Sequence, residues 1–319
     1  MSIPRISVFP KCYFDLLCRG EMDYVQWIRS AAALGAEGVE HYDGFFRSFE
    51  PADVDPIVKT MAETGQVSSM LCFSPDFTAD DEGERARQIE RQRRAIDLAL
   101  ALGTRYCRTL SGQNRPGLTR AEGIARTVDG LLRSIEYAAR RGVVLCLENH
   151  YKDGNWFYPE FAQPEDIFLE ILERVDSPHL GVQYDPSNAL VGGSDPIAFL
   201  RRVLPRLVTV HASDRYVAGG ATLDDPPPLR LRRGLAEASR AKAELREADG
   251  TIGYSDKLTH GETGRGLIDY DAIFGILSDA RFDGWISVED GMNGLDELRR
   301  SVAFLAGKRQ EYFATRVAE

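Results

Sequence analysis

Short apolar runs alternate with longer amphipathic segments from one end of the chain to the other. The apolar runs hold four to seven residues and are bounded mostly by glycine, proline or charged residues. This pattern is typical of strands that are buried on both faces of a parallel sheet. The predicted strands are residues 6–9, 38–42, 67–73, 106–110, 143–147, 180–184, 207–210 and 285–288.

The segments between these runs carry apolar residues at helical spacing, and several begin with proline or an acidic residue, as helix N-termini do. The predicted helices are residues 22–34, 51–64, 82–102, 120–141, 164–175, 196–203 and 270–280, with a last one beginning near Gly294. Because a helix follows each strand, the pattern predicts an α/β fold, a single (β/α)8 TIM barrel. An open doubly wound sheet is the alternative, but no glycine-rich phosphate-binding segment follows the first strand.

One long segment interrupts the alternation. Residues 212–267 separate the seventh strand from the seventh helix and contain a proline-rich stretch at 224–228. Residues 229–248 are rich in Arg, Ala, Leu and Glu at roughly helical spacing. Loops of this length are usually functional or disordered, so the insertion is interpreted as a lid or a partner-docking segment, with a solvated surface excursion as the alternative. Both of its ends lead into barrel elements, so residues 1–319 are expected to form one domain.

Composition narrows the functional classes. The net charge of -10 argues against nonspecific binding to nucleic acid or to anionic membranes. No apolar run approaches membrane-spanning length, and the first five residues lack the features of a signal peptide. The five cysteines are scattered and form no C-x-x-C pair, so we expect a reducing cytoplasm and no disulfide framework.

Four successive predicted strands end in a side chain that can bind a metal. Glu148 follows the fifth strand, Asp185 the sixth, His211 the seventh and Glu289 the eighth. In such barrels the active site lies at the carboxyl ends of the strands. Three carboxylates gathered there would repel one another unless a cation were present. Three oxygen donors with one nitrogen donor predict a single divalent ion, with manganese as the first expectation and magnesium, cobalt, zinc or iron as alternatives.

Three histidines are candidates for contact with a substrate. His150, two residues beyond Glu148, is predicted either to transfer a proton or to orient that glutamate. His260, within the insertion, is either a second proton-transfer group or a loop cap. His41 ends the second strand and is expected to face the barrel mouth.

The strand ends carry motifs that resemble the sugar phosphate isomerase/epimerase superfamily, the xylose isomerase-like TIM barrels. The motifs are Leu147-Glu148-Asn149, Asp185-Pro186-Ser187-Asn188, Val210-His211-Ala212-Ser213-Asp214, Ser287-Val288-Glu289 and the glycine-rich run at 264–269. The resemblance implies that Glu148, Asp185, His211 and Glu289 are the metal ligands. In the ketose 3-epimerase branch the two glutamates also serve as the acid/base pair. Asn188 and Ser213 depart from the His and Lys that are common in that branch at these positions.

A narrower resemblance links the chain to the catalytic α subunits of bacterial C-glycoside deglycosidases. It rests on the long insertion and on the runs at 148–156, 213–216, 253–255 and 260–264. It implies a metal-dependent carbon–carbon lyase that abstracts a proton next to a carbonyl, with a metal-stabilised enolate, and cleaves 3-oxo-C-glycosides by β-elimination. His150, Glu148, Glu289 and His260 are then the catalytic candidates. It also implies a small β-rich partner subunit.

Other functions stay open at this stage. A ketose 3-epimerase or sugar isomerase is the main alternative, and a metal-dependent apurinic endonuclease is a remote one. The net acidity and the five histidines argue against the endonuclease, which usually needs several metals and a basic groove. A non-catalytic binding or assembly subunit is a further alternative, which the intact set of candidate ligands disfavours. The sequence leaves the substrate, the aglycone and a homo-oligomeric state undetermined.

Overall fold

Eight parallel strands close into a barrel in which the first strand pairs with the last. The computed structural model describes residues 3–154, 156–217 and 258–313. The barrel strands are β1 (Arg5–Val8), β2 (Gly38–Tyr42), β3 (Val67–Cys72), β4 (Tyr106–Thr109), β5 (Val144–Glu148), β6 (Leu180–Tyr184), β7 (Leu207–Ala212) and β10 (Trp285–Val288). The predicted (β/α)8 TIM barrel is therefore confirmed.

Helices follow the barrel strands and pack around them. They are α1 (Phe14–Cys18), α2 (Tyr24–Ala32), α3 (Pro51–Thr64), α4 (Glu82–Ala101), α5 (Arg120–Arg141), α6 (Glu165–Arg174), α7 (Pro186–Val191), α8 (Pro196–Val203), α9 (Tyr270–Asp279) and α10 (Leu295–Phe313). Capping residues determine where these helices begin and end. In α5, for example, Thr119 and Glu122 form a reciprocal capping box, and Gly142 ends the helix in the left-handed conformation with φ of 67°. No described helix is both long and apolar enough to cross a membrane.

The structure extends two strands beyond their predicted ends. Strand β5 includes Glu148, which is paired in register with Gln183, and β7 includes His211, which is paired with Ser287. Backbone pairing thus continues into the polar residues at the barrel mouth. The short helices α1 and α7 were not predicted, because five or six residues carry too little periodic pattern to be recognised.

The expectation that His41 faces the barrel mouth is wrong. Its side chain is fully buried, and Nδ1 lies 2.5 Å from the hydroxyl of Tyr24 on α2, outside the barrel. The preceding residue, Glu40, points into the barrel instead and contacts His211 on the far side. Because successive side chains of a strand point to opposite faces, His41 must point away from the barrel interior once Glu40 points into it.

The ends of the insertion lie side by side at the barrel mouth. Strand β8 (Arg215–Val217) pairs antiparallel with β9 (Leu258–His260). Next to this ribbon, the glycine-rich run wraps around the buried carboxylate of Asp214, which accepts hydrogen bonds from the backbone N–H groups of Gly264, Gly266 and Ile268. Residues 218–257, including the predicted helical stretch at 229–248 and the run at 253–255, lie outside the described residues. The lid and partner-docking interpretations of the insertion therefore remain predictions.

Candidate active site

Four buried side chains from neighbouring strands converge at the carboxyl end of the barrel. They are Glu148, Asp185, His211 and Glu289, called the quartet below, and one ligand atom of each lies within 4.8 Å of the others. Nδ1 of His211 lies 3.1 Å from Oε1 of Glu148 and 3.3 Å from Oε2 of Glu289. It lies 3.9 Å from Oδ2 of Asp185. The structure thus brings together all four residues that the sequence places at strand ends.

The donor atoms of the quartet fit a divalent cation. Oδ1 of Asp185 accepts hydrogen bonds from Oγ of Ser213 at 2.7 Å and from the backbone N–H of Asn188 at 2.8 Å. Oδ2 of the same carboxylate is buried and has no hydrogen-bond partner among the described residues. A buried carboxylate oxygen needs a partner, and a metal ion would supply one. The quartet can therefore hold a metal ion, whereas the identity of the ion and the assignment of each ligand remain predictions.

The electrostatics of the quartet also favour a cation. Burial, together with the charges of Glu289 and Glu148, raises the pKa of Asp185 to about 7. Burial alone would lower the pKa of His211, but the carboxylates of Glu40, Glu289 and Glu148 outweigh it and hold that pKa well above its usual value. Without a metal, a protonated imidazole would have to balance this negative charge.

His211 is held from its other side by residues deeper in the barrel. Its Nε2 lies 2.6 Å from Oε1 of Glu40 and also contacts Nε2 of Gln183. Glu40 in turn accepts a hydrogen bond from Sγ of Cys72 at 2.9 Å. A histidine whose outer nitrogen donates to a carboxylate presents the lone pair of the other nitrogen, which is the arrangement a metal ligand needs. Glu40 thus orients His211 toward the centre of the quartet.

In each glutamate of the quartet, one carboxylate oxygen faces His211 and the other accepts a hydrogen bond from a cationic side chain. Oε1 of Glu148 faces His211, while Oε2 accepts a 2.8 Å hydrogen bond from Nη1 of Arg108. Oε2 of Glu289 faces His211, while Oε1 accepts a 3.1 Å hydrogen bond from Nζ of Lys11. Burial would raise the pKa of Glu148, but His211 and Arg108 lower it to about 2. Both glutamates are therefore held as carboxylates, each with one oxygen turned toward the quartet.

Two departures from the ketose epimerase pattern also support the quartet. Ser213 stands where Lys is common, and its hydroxyl lies within hydrogen-bond distance of both Asp185 and Ser187. Asn188 stands where His is common, and its Nδ2 donates to Oε1 of Glu148 at 3.4 Å. In this chain, Ser213 and Asn188 therefore donate hydrogen bonds to two carboxylates of the quartet.

A cavity of about 340 Å³, called the reaction cavity below, lies beside the quartet. Glu289 and Arg108 form part of its wall, so the cavity reaches the quartet directly. Lys11 and His150 line it as well, and apolar side chains cover the outer side. Most small-molecule sites combine such apolar walls with a few polar groups at one end.

His150 is the histidine in this wall. Its ring is buried and stacks on Tyr151 with ring centroids 5.5 Å apart. Burial lowers the pKa of His150 to about 4, so the ring is neutral near pH 7 and has a lone pair available. Nδ1 has no hydrogen-bond partner among the described residues and lies 4.0 Å from Oε2 of Glu160, which is also unpaired there.

His260 lies at the rim on β9. Its Nδ1 is 2.6 Å from Oδ1 of Asp290, the residue after Glu289, and its Nε2 is buried without a partner among the described residues. His260 is not among the residues that line the reaction cavity. The structure thus brings His150 into the cavity and leaves His260 beside it. The catalytic roles of both histidines remain predictions.

Sequence analysis missed three charged residues of the site: Lys11, Glu40 and Arg108. Glu40 and Arg108 lie inside predicted strands, and a charge within a strand buried on both faces is a signal that could have revealed them. Lys11 follows β1, so its place at a strand end could have been noticed too. No sequence motif identifies the side chain with which any of these three residues forms a hydrogen bond.

The comparisons with known proteins agree with the fold. The sequence matches the family described as xylose isomerase-like TIM barrel over residues 28–308. It is 22% identical over 180 residues to an inosose dehydratase of Bacillus thuringiensis (strain Al Hakam), a match covering 56% of this chain and 50% of the relative. The chain thus spans about half the length of that curated relative. An inosose dehydratase of Geobacillus thermodenitrificans (strain NG80-2) is 21% identical over 283 residues, covering 85% of this chain and 83% of the relative.

Solved structures share the architecture at low sequence identity. A D-tagatose 3-epimerase-like protein superposes with a TM-score of 0.71 at 17% identity, covering 98% of this chain and 99% of its own. The 3-keto-D-glucoside 4-epimerase of E. coli superposes with a TM-score of 0.67 at 14% identity, covering 96% of this chain and 99% of its own. At these identities the superpositions establish the fold alone. Because the family match extends over most of the sequence, the chain belongs to the xylose isomerase-like TIM barrel family.

Proposed function

We propose that the protein is a divalent-metal-dependent lyase that removes a proton next to the carbonyl of a 3-oxo-glycoside and then eliminates the aglycone. The observation that carries this proposal is the way each glutamate of the quartet is held. One oxygen of Glu148 and one of Glu289 face His211, and the others are bonded to Arg108 and Lys11. Neither carboxylate keeps an oxygen free to take a proton from a substrate.

His150 is then the group that accepts the proton. Its neutral ring lines the reaction cavity next to Glu289, and Nδ1 is unpaired among the described residues. A general base must have an available lone pair within reach of the reacting C–H group. His150 lines the cavity and has an unpaired nitrogen, so it is the candidate base, whereas the oxygens of the quartet glutamates are already engaged.

The proposed reaction has two steps, proton abstraction and elimination. His150 takes the proton from C2, and the C–H electron pair becomes the enolate of the C3 carbonyl. The C3 carbonyl then reforms, a C1–C2 double bond forms and the bond from C1 to the aglycone breaks. The aglycone carbon keeps the electron pair of that bond and takes a proton from protonated His150, which regenerates the base, or by way of His260. A divalent cation in the quartet supplies a Lewis acid for negative charge that develops on the carbonyl oxygen. Lys11 and Arg108 add fixed positive charge at the same wall.

The shape of the reaction cavity supports a substrate with an apolar group. The apolar side chains of its wall include Phe9, Phe14, Leu16 and Met292, and the last two are 37% and 43% exposed. An aglycone ring can pack against this wall while the sugar lies toward Glu289. The exposed ends of the wall leave space for an aglycone that extends out of the cavity.

The relatives support the reaction class. Their names include a 3-keto-D-glucoside 4-epimerase and two inosose dehydratases. A dehydratase eliminates a leaving group from a substrate, and the epimerase acts on a 3-keto-glucoside. Both features are combined in the proposed elimination from a 3-oxo-glycoside. The small β-rich partner subunit and self-association remain predictions of the resemblance.

A ketose 3-epimerase is the second candidate, favoured by the superposition on a D-tagatose 3-epimerase-like protein. An acid/base pair of Glu148 and Glu289 would require each glutamate to leave its ion pair with Arg108 or Lys11. Because breaking these ion pairs would cost free energy, the epimerase is the less favoured of the two candidate functions.

Proton NMR in D2O tests the proposal. The magnesium- or zinc-loaded protein is mixed separately with a 3-oxo-C-glucoside and with a free ketose. Deuterium uptake at C2 of the oxo-glucoside together with release of the aglycone is the expected result. Exchange at C3 of the ketose, with the oxo-glucoside left unchanged, would establish the epimerase instead.

A further inference from the structure

We propose that a second cavity, next to the reaction cavity, is a binding subsite for a second sugar unit of the substrate. This side cavity has a volume of about 210 Å³ and lies at the same end of the barrel, above β2, β3 and β4. The inference rests on the proposed function, since it names the class of glycoside that the enzyme accepts. It predicts a substrate with two hydroxylated rings, one at the quartet and one in the side cavity.

A chain of polar contacts joins the side cavity to the quartet. Arg108 donates from Nη1 to Glu148 at 2.8 Å and from Nη2 to Oγ of Ser74 at 2.9 Å. Ser74 donates to Oδ2 of Asp153 at 2.7 Å. Asp153 lines both cavities, Arg108 lines the reaction cavity and Ser74 lines the side cavity. The two cavities therefore adjoin along a polar partition, and a two-ring ligand would pass from one to the other beside Asp153, which lines both.

Trp156 contributes an aromatic side chain to the wall of the side cavity. Its side chain is 8% exposed, yet it is not part of the continuous hydrophobic core. The adjacent Phe157 is 87% exposed. Gln113 fixes this loop by accepting backbone hydrogen bonds from Phe157 at 2.9 Å and from Tyr158 at 3.2 Å. The loop thus turns the indole into a cavity with a polar lining, where core packing does not explain its burial.

The rest of the lining suits hydroxyl groups. Asp43 and Arg91 contribute opposite charges, Gln113 an amide, and Tyr42 and Phe73 further rings. No ion pair joins Asp43 to Arg91 among the described residues, so both can bind sugar hydroxyls. Burial raises the pKa of the Asp43 carboxyl to about 6 although the charge of Arg91 opposes the rise. Planar polar groups beside an aromatic face recognise a sugar, whereas an apolar aglycone would leave these groups without partners.

Binding of an unreactive sugar tests the subsite separately from catalysis. Methyl β-D-glucopyranoside has no ketone and cannot undergo the proposed elimination. Its dissociation constant for the metal-loaded protein is measured by saturation-transfer NMR, and tryptophan fluorescence is followed in parallel. Trp156→Leu and Asp43→Asn are compared with Phe157→Leu, a matched control in the same loop that lines neither cavity. Thermal melts confirm that each variant is folded.

We expect Trp156→Leu to weaken binding roughly twofold to tenfold, the factor that loss of one stacking contact gives. Asp43→Asn should also weaken binding, Trp156→Phe should restore most of it, and Phe157→Leu should leave it unchanged. Equal effects of Trp156→Leu and Phe157→Leu, or no effect of either cavity variant, would overturn the subsite. Sugar binding that depends on Trp156 without any turnover of 3-oxo-glycosides would instead refute the proposed function and leave the subsite standing.

A kinetic comparison tests the two-ring substrate itself. The expected result is that Trp156→Leu lowers kcat/KM for a 3-oxo-glycoside with a second sugar and leaves that of a single-sugar 3-oxo-glucoside unchanged. Equal losses for both substrates would contradict a separate subsite.

Discussion

Nζ of Lys11 donates a 3.1 Å hydrogen bond to Oε1 of Glu289, joining residues 278 positions apart. The contact forms where the first barrel strand meets the last, since β1 pairs with β10. Lys11 is only partly exposed and Glu289 is buried, so each charge compensates the other. The pair also decides which oxygen of Glu289 faces the quartet.

Lys11→Met should lower the stability of the metal-free protein by roughly 1–3 kcal/mol, because it leaves a buried carboxylate without its partner. A divalent ion replaces the missing positive charge, so the rise in Tm on adding Mn²⁺ should be larger in the variant than in the wild type. Lys152→Met is the control, since Lys152 lines the same cavity without a described bond to the quartet. An equal Mn²⁺-induced rise in both variants would contradict the charge compensation.

Replacement of quartet carboxylates tests the metal site. Loss of an outer-shell partner alone costs about 10–100-fold in metal affinity, so Glu148→Gln and Glu289→Gln should each cost at least that much and abolish turnover. Affinity is measured by titration calorimetry with Mn²⁺. Asp15→Asn, which also removes a carboxylate from the cavity wall, should bind the metal normally. Full activity in either glutamine variant would be incompatible with the site.

The two histidines should have separable effects. His150→Gln should retain the metal but slow deuterium exchange at C2 by roughly 10²-fold or more, because the base is lost. If His260, held by Asp290, delivers the proton to the aglycone, His260→Gln should leave exchange intact and slow aglycone release. Exchange that persists in His150→Gln would remove this histidine from the base role.

Glu160 should make stability depend on pH. Burial raises its pKa to about 8 in the folded protein, against about 4.3 in an unfolded chain. Between these two pKa values, Glu160 is therefore protonated in the folded protein and ionised in the unfolded chain. The contribution of this group to stability is fully present below pH ~4.3 and is lost as pH rises through ~8. Glu160→Gln, which cannot titrate, should gain Tm relative to the wild type between pH 5 and pH 8, and a constant difference would contradict the shift.

The glycine-rich run should be intolerant of side chains where it encloses Asp214. A Cβ at Gly266 would overlap Oδ1 of Asp214 and the carbonyl oxygen of Arg215. We expect Gly266→Ala to cost about 1–3 kcal/mol in urea unfolding. Gly307→Ala is the matched control, because Gly307 lies within α10 with nothing within 4 Å of the added Cβ. The control should gain up to about 1 kcal/mol from helix propensity, and equal effects at both sites would refute the steric argument.

The sequence by itself determined the barrel and the positions of the four quartet residues along it. Strand and helix periods are local, and parallel barrel strands all end at the same face. The three carboxylates and the imidazole of the quartet are therefore placed at the mouth without knowledge of any distant contact, although the same reasoning misplaced His41. Glu148 and Asp185, for instance, follow directly from where β5 and β6 end.

Only the tertiary structure decided how these side chains are held. His41, expected at the barrel mouth, contacts Tyr24 outside the barrel, and Glu40 points inward to His211. The partners of the two glutamates are Arg108 on β4 and Lys11 in the loop after β1. Both are distant from the glutamates in sequence, so these contacts exist only once the barrel closes. A hydrophobic pattern is one-dimensional and records burial, whereas an ion pair or a cavity wall depends on which distant segments meet in space.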